Sequence, residues 1–252
     1  MSPEGPRTPP SLSVVIPALN EERHVGSLLS DVIRQTKSAD EVIVVDSGSG
    51  DDTVSVVRRF SGVTLLAGTP PVAAGRNLGG WSAGGDVLIF LDADVRLEKD
   101  FFEGFLEEFE RRGLDVACPL YAPYRSTPAI RSAFAFFNAL FKVVERLSPS
   151  GAGHCIAVRG DVFRESRGFD PELKFDDIEL IRRLSKGRRF GIIAQRRVYV
   201  SDRRYREHGV PRMFLTYLLM GLFFALDKYR WANHLTYEFG RHGQTRKQGV
   251  AR

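Results

Sequence analysis

The first half of the chain alternates between short apolar runs rich in β-branched residues and segments with helical periodicity. This alternation limits the possible folds more than any other feature of the sequence. The apolar runs predict strands at residues 12–16, 41–45, 63–67 and 86–91. Helical patterns separate them at residues 22–35, 52–60 and 71–83. Strands alternating with helices of this length form βαβ units, so we expect a Rossmann-like, mostly parallel central sheet flanked by helices.

The second half mixes helices and short strands without an internal repeat or a clear linker. Helical patterns cover residues 100–112, 130–147 and 177–186, and short strands are predicted at residues 115–118, 154–158, 191–194 and 198–200. We therefore expect one α/β domain over residues 11–202 and a C-terminal helical appendage over residues 203–240. The tails at residues 1–10 and 241–252 are expected to be disordered.

Composition narrows the class of ligand. The formal net charge of +5 favours anionic ligands such as nucleotide phosphates or lipid head groups. Nucleic acid is not expected, because no basic stripe interleaved with aromatic residues is present. Cys118 and Cys155 are too few for a disulfide framework or a zinc site, which favours a reducing, cytoplasmic compartment. Residues 1–10 lack the apolar stretch of a signal peptide.

Two aspartates, Asp92 and Asp94, directly follow the fourth predicted strand, with Ala93 between them. Ligands of open α/β sheets bind at the carboxyl ends of the strands. Two carboxylates one residue apart can share a hard divalent cation, which would stabilise a leaving diphosphate. We predict a site for a hard divalent cation here, and two solvated turn aspartates are the alternative.

Asp46 ends the second predicted strand and precedes a glycine-containing loop. Its carboxylate can accept a hydrogen bond from a nucleobase N–H. Gly48 and Gly50 also match the start of a dinucleotide-binding motif, but Thr53 stands where the third glycine belongs and Asp51 would repel a pyrophosphate. An Asx-type turn with a helix cap is the structural alternative.

Four motifs, taken in order, resemble the family 2 glycosyltransferases of the GT-A fold. They are PALNEE after the first strand, VVDSGSGDDT after the second, AAGRNLGGWSAGGDVLIFLDAD, and GFDPELKFDDIELIRRL. The resemblance covers residues 11–189. It implies an inverting enzyme that uses Mg²⁺ or Mn²⁺ and a nucleotide-diphosphate sugar, with a UDP-sugar favoured and a GDP-sugar as the alternative.

The resemblance also implies roles for individual residues. Nucleotide contacts are implied for Pro17, Ala18, Asn20, Glu21, Asp46, Arg76, Asn77, Asp92 and Ala93. Of these, Asp46 matches the residue that reads the base, and Arg76 and Asn77 match a stretch near the diphosphate. Ser47 stands where the family usually has a second acid, so the match at the position that reads the nucleobase is incomplete.

Asp177 matches the catalytic base of the family, in a pair where Asp176 replaces the usual glutamate. Inversion needs one base and no covalent nucleophile, because the acceptor loses its proton as it attacks opposite the leaving diphosphate. Acids favoured by a helix dipole are the structural alternative. His208 is predicted to complete the metal site with Asp92 and Asp94, whereas a structural role is expected for His154.

Two apolar segments, residues 130–147 and 213–226, suggest contact with lipid. The second is shorter than the roughly 20 residues that a spanning helix needs. We therefore expect a peripheral enzyme at the cytoplasmic face of the cell membrane, with a lipid-linked or cell-envelope glycan acceptor. Core packing or a homodimer contact would also explain both segments.

Two other functions remain open. A sugar nucleotidyltransferase has a related nucleotide domain, but its basic, glycine-rich first loop is replaced here by the acidic residues 17–22. A non-catalytic sugar-nucleotide-binding module would be expected to have a broken metal or base motif. Asp92, Asp94 and Asp177 are all present.

Overall fold

The computed structural model describes residues 9–146, 148–226 and 231, and these form an eight-stranded mixed sheet with helices on both faces. The strands are β1 (Leu12–Ala18), β2 (Glu41–Asp46), β3 (Val63–Ala67), β4 (Val87–Leu91), β5 (Arg96–Leu97), β6 (Val116–Pro123), β7 (Cys155–Arg159) and β8 (Phe190–Val200). The helices are α1 (Val25–Ile33), α2 (Thr53–Val57), α3 (Val72–Ser82), α4 (Phe101–Arg111), α5 (Pro128–Val144), α6 (Gly160–Arg164), α7 (Asp176–Leu184), α8 (Arg203–His208) and α9 (Val210–Ala225). The expected α/β fold class is confirmed.

The sheet has the order β3-β2-β1-β4-β7-β6-β8-β5. Its first four strands pair in parallel, as the βαβ pattern predicts, whereas β7 is antiparallel to both β4 and β6. One hydrophobic core lies under α1, α4 and α5, and a second lies under α3, α6 and α7 on the other face. The buried sheet therefore holds the ends of β1, β2 and β4 in fixed positions at one edge.

Several predicted boundaries were wrong. β1 does not end before Pro17 but continues through Ala18. The carbonyl oxygen of Ala18 accepts a hydrogen bond from the Ser47 amide beside β2. Successive residues of a strand point their backbone groups to opposite sides, so the backbone of Pro17 faces β4. Pairing with β4 has already ended at Val15. A proline without an N–H is tolerated there because no ladder bond is lost.

β8 is one strand, not the two predicted short strands. Its pairing with β6 jumps from Ile193 to Arg197, so residues 194–196 have no partner on β6 while the strand continues. Helix α1 begins at Val25 rather than at residue 22, and α5 begins at Pro128, where the Thr127 side chain accepts a bond from the Ile130 amide. The short elements β5 and α6 were not predicted.

Helix α3 approaches the sheet closely because of its glycines. A Cβ added at Gly79 would lie 2.4 Å from a methyl of Val15 on β1, and one at Gly75 would lie 3.2 Å from the Ser47 hydroxyl. A larger residue at Gly79 would push the helix away from the sheet. The close approach places Arg76 of this helix directly beside the ends of the parallel strands.

Helices α8 and α9 fill the described part of the expected appendage. The inner side of α9 packs on α5, with Phe137 touching both Phe214 and Tyr217. Among residues 9–146 and 148–226, no helix is long and apolar enough to cross a membrane. Residues 1–8, 147, 227–230 and 232–252, which include most of the two predicted tails, lie outside the described residues.

Candidate active site

Charged side chains from four separate segments of the chain meet at the carboxyl edge of the parallel strands. Asp92 and Asp94 follow β4, and His154 directly precedes β7, the antiparallel neighbour of β4. Asp176 and Asp177 begin α7, and Arg76 extends from α3. The structure thus brings together residues that lie up to 100 positions apart in the chain.

Arg76 lies at the centre of this group and is almost fully buried. One terminal nitrogen of its guanidinium donates to Asp92 Oδ1 at 2.7 Å, and the other donates to both carboxylate oxygens of Asp176 at 3.0 and 3.2 Å. Its guanidinium also lies over the Phe169 ring, 5.2 Å from the centroid. Arg76 therefore joins the loop after β4 to the start of α7, a role that the predicted contact near a diphosphate did not include.

Asp92, Asp94 and His154 form a candidate metal centre. One ligand atom from each residue can be chosen so that all three lie within 4.8 Å of one another. Two carboxylates and an imidazole suit Mn²⁺ or another borderline divalent cation, and the carboxylates also suit Mg²⁺. In the part of the chain that the structure describes, this is the one such group of three.

His208, predicted as the third ligand, is not in this group. It is exposed at the end of α8, whereas His154 is held with its Nδ1 3.0 Å from Asp92 Oδ2. Sequence reasoning did not place His154 in this group because its closeness to Asp92 depends on the pairing of β4 with β7. The amide of Asp92 donates to the carbonyl of His154, so the two residues face each other just beyond the paired strands.

The electrostatic balance differs among the carboxylates. Burial alone would raise the pKa of Asp92, but Arg76, and then His154, outweigh it and hold that pKa well below its ordinary value. Burial lowers the pKa of His154, and the bond to Asp92 more than compensates, so that pKa is raised. Asp92 is therefore ionised at neutral pH and ready to bind a cation.

Asp177 lies in a different environment at the start of α7. Burial raises the pKa of its carboxyl above the ordinary value, against the attraction of Arg76. A Cβ added at Gly153 would lie 1.6 Å from Asp177 Oδ2, so the loop before β7 can pass this carboxylate only with a glycine. An aspartate with a raised pKa, next to the candidate metal centre, is a stronger proton acceptor than an ordinary aspartate.

Hydrogen bonds join the loop after β1 to the loop after β2. Asn20 adopts a left-handed φ of 57°, its Oδ1 accepts from the Gly50 amide at 2.8 Å, and its own amide donates to the Ser49 hydroxyl. The amide of Glu21 donates to Thr53 Oγ1 at 2.8 Å. Both predicted nucleotide contacts thus take part in shaping one joint loop surface.

Asp46 combines the two interpretations that the sequence left open. Its Oδ2 accepts from the amides of Gly48 and Ser49 at 3.1 Å, which is the Asx-type turn. Its Oδ1 is buried and has no hydrogen-bond partner among the described residues. Buried acceptors are normally satisfied, so this oxygen remains available for an N–H group from outside the chain.

The other predicted nucleotide contacts lie nearby but differ in what they touch. Asn77 is buried, and its amide group exchanges two hydrogen bonds of 2.8 and 2.7 Å with the backbone of Phe169, so it fixes the segment before α7. Pro17 and Ala18 are the last residues of β1, and Ala93 is buried between the two metal-site aspartates.

A small cleft opens beside the candidate metal centre. Asp94 and His154 line it together with residues of α8 and α9. The remaining lining side chains are mainly aromatic or basic and include Tyr121, Phe134, Arg203, Arg204, Tyr205 and Tyr217. An acceptor entering here would meet apolar rings and positive charge within reach of Asp94.

Comparison with known proteins agrees with this geometry. The family model described as "Glycosyl transferase family 2" matches residues 13–167. The 4,4'-diaponeurosporenoate glycosyltransferase of Staphylococcus aureus is 32% identical over 138 residues, which is 52% of this chain and 36% of that protein. The chain spans only about a third of the length of the curated relatives it matches.

Two solved structures share the fold. The mannosyltransferase PcManGT from Pyrobaculum calidifontis, in complex with GDP-Man and Mn²⁺, aligns with a TM-score of 0.65 and 21% identity over 77% of this chain and 57% of that chain. TarS 1-349 of S. aureus, in complex with UDP-GlcNAc, aligns with a TM-score of 0.59 and 21% identity over 76% of this chain and 58% of that chain. At these identities the likeness establishes the fold.

Proposed function

The chain belongs to glycosyl transferase family 2, and on that basis we propose that it moves a sugar from a nucleotide-diphosphate sugar to an acceptor hydroxyl or phosphate, with inversion at the anomeric carbon. The observation that supports this most is the meeting of Asp92, Asp94 and His154 with Asp177 at one edge of the sheet. The site offers a cation-binding group and a separate base, which are the two functions that direct displacement requires.

The residues present fit a divalent cation. Asp92, Asp94 and His154 would hold Mg²⁺ or Mn²⁺, which when bound supplies positive charge to the leaving diphosphate. Arg76 keeps Asp92 ionised and in place, so that carboxylate is prepared for the cation. Arg203 and Arg204, which line the same cleft, add positive charge for the phosphates.

Asp177 is proposed as the base. It receives the proton of the acceptor as the acceptor oxygen forms its bond to the anomeric carbon and the nucleotide diphosphate leaves. The pKa of Asp177, raised by burial, brings its basicity closer to neutral pH than that of an ordinary aspartate. Asp176 is held by Arg76 and is not free for this role.

The donor is proposed to be a UDP-sugar, with a GDP-sugar as the alternative. The free Oδ1 of Asp46 would accept from the base, and the joint loop surface around Pro17, Ala18, Asn20 and Glu21 would lie against the nucleoside. Asp92 and Ala93 would lie at the ribose. The two similar structures were obtained with UDP-GlcNAc and with GDP-Man, so both nucleotides deserve equal testing.

The acceptor is proposed to be lipid-linked, with a cell-envelope glycan as the alternative, and the site of action to be the cytoplasmic face of the cell membrane. Support comes from the aromatic cleft, and from the apolar acceptor named for the similar S. aureus enzyme. A homodimer formed through the apolar helices is the competing explanation of those surfaces.

Titration calorimetry with UDP and GDP, each with and without Mn²⁺, tests the donor site directly. We expect one nucleotide to bind in a Mn²⁺-dependent manner, and Asp94→Asn to abolish the Mn²⁺ dependence. Asp46→Asn should weaken binding without changing that dependence. No binding of either nucleotide would contradict the proposal. Turnover of a nucleoside triphosphate with a sugar phosphate would show a nucleotidyltransferase, and binding without turnover of any donor would show a binding module.

A further inference from the structure

Helices α5 and α9 present an exposed apolar surface on the side facing away from the core. We propose that this surface docks the enzyme onto an anionic lipid bilayer. We call it the α5–α9 face; it consists of Phe136, Leu140, Val143, Leu215, Leu218, Leu219, Leu222 and Leu226. The proposal rests on the proposed function for its biological purpose, but it concerns a separate surface and can be tested without any sugar donor.

The stripe on α9 is the main evidence. Four leucines of α9, at positions 215, 218, 219 and 222, and Leu226 directly after its end have a spacing that places them on one side of a helix. They are between 39% and 57% exposed. The opposite side of α9 is buried through Met213, Met220 and Phe224. The helix therefore has one side in the core and one apolar side without a protein partner among the described residues.

Helix α5 extends the same surface. Phe136 lies against Phe214 of α9, with ring centroids 5.1 Å apart, and it is itself 46% exposed. Leu140 and Val143 follow at helical spacing, and Val143 is 78% exposed. Two adjacent helices thus form one continuous apolar patch, and such patches mark sites of protein or membrane contact.

The charges around the patch favour an anionic lipid surface over a second copy of the chain. Arg131 and Lys142 on α5 and Arg212 on α9 are all exposed, and neither helix contains an aspartate or glutamate. A symmetric dimer would bring two copies of this cationic surface together, and their like charge disfavours that contact. Anionic lipid head groups would neutralise them while the leucines enter the acyl region.

The geometry also connects the patch with the candidate site. The 16 residues of α9 span about 24 Å, less than the roughly 30 Å of a hydrocarbon core, so the helix would lie in the interface rather than cross it. The inner sides of the same two helices line the cleft through Phe134 and Tyr217. Docking would therefore place the cleft about one helix diameter, roughly 10 Å, from the bilayer surface.

The test is co-sedimentation with vesicles of phosphatidylcholine alone and of phosphatidylcholine with phosphatidylglycerol. We expect the wild-type chain to sediment with the anionic vesicles and to be released at high salt. The double variant Leu218→Glu/Leu222→Glu should bind these vesicles at least tenfold more weakly. Ile33→Glu on α1, which alters a similarly exposed apolar side chain on another surface, is the matched control and should bind like wild type.

The outcomes separate this inference from the proposed function. Melting temperature and nucleotide binding, measured without lipid, should be the same in the double variant and the wild type, which shows that the fold and the donor site are intact. Equal vesicle binding by the double variant and the wild type, or no binding at all, would overturn the proposal. A wild-type dimer that the double variant breaks, without vesicle binding, would show that the face joins two copies instead.

Discussion

Replacing Arg76 with methionine should destabilise the protein strongly, because two carboxylates then lose their cation. Methionine fills a similar volume without the charge. The ion pair of Arg76 with Asp176 is the critical one, since only 7% and 5% of these side chains are exposed. Asp92 loses its closest partner in the same step.

The size of the effect follows from this burial. Breaking a buried ion pair by removing one partner costs about 3–5 kcal/mol, because the remaining charge stays desolvated. For a chain of this length, each kcal/mol lowers the melting temperature by roughly 2–4 °C, so we expect a fall of about 6–20 °C. Arg34→Met is the matched control. Arg34 is 70% exposed, and its nitrogen lies 3.9 Å from Asp31, so its loss should cost less than about 1 kcal/mol.

Thermal and urea unfolding at pH 7.5 and at pH 5 would measure both variants. Burial already raises the pKa of Asp176 to about 6 although Arg76 opposes this, and loss of Arg76 should raise the folded pKa of Asp176 further and that of Asp92 as well, relative to unfolded values near about 4. Such groups cost stability at higher pH, and the cost shrinks as the pH falls through the folded pKa. The deficit of Arg76→Met should therefore be smaller at pH 5. A deficit no larger than that of Arg34→Met, or one independent of pH, would refute the reasoning.

Three further predictions concern the site and its support. Asp177→Asn should lower kcat by about 10²–10⁴-fold with little change in donor KM. The wild-type kcat should fall on acidification at a pH above the ordinary aspartate pKa, since burial raises the pKa of this base. An unchanged kcat of the variant in steady-state assays would exclude Asp177 as the base. His154→Ala should weaken Mn²⁺ binding in a calorimetric titration by at least tenfold while His208→Ala does not; the opposite pattern would restore the sequence-based assignment. Gly79→Ala should lower the melting temperature, because the added Cβ would overlap Val15 of β1. Gly84→Ala should not, because the space around Gly84 is open. Equal melting temperatures of the two variants would contradict the packing of α3.

The sequence predicted the parts of this structure that depend on local patterns. The parallel strands β1 to β4 follow from short apolar runs, and acids end or directly follow two of them, β2 and β4. Asp92 and Asp94 could be proposed as site residues because a strand end in an α/β sheet is itself a local signal. Asp177 was proposed from a motif, and the structure places it at the start of α7.

Contacts that depend on non-local pairing could not be predicted in the same way. The bond between His154 and Asp92 requires β7 to lie antiparallel beside β4, and a single sequence does not give that order. Arg76 was placed near the right site, but its two carboxylate partners, on separate elements, appear only in the folded chain. The end of β1 was predicted wrongly at Pro17, because a proline loses no ladder hydrogen bond where pairing with the neighbouring strand has already ended.

The central claim is that the chain transfers sugar from a nucleotide-diphosphate donor in a metal-dependent reaction. The most direct test is release of UDP or GDP from a panel of UDP- and GDP-sugars, with Mn²⁺ or with EDTA, for wild type and Asp94→Ala. We predict that one donor releases its nucleotide diphosphate with Mn²⁺, and that EDTA or the substitution abolishes the release. Release that continues equally in EDTA and in Asp94→Ala, or no release from any donor, would contradict the claim.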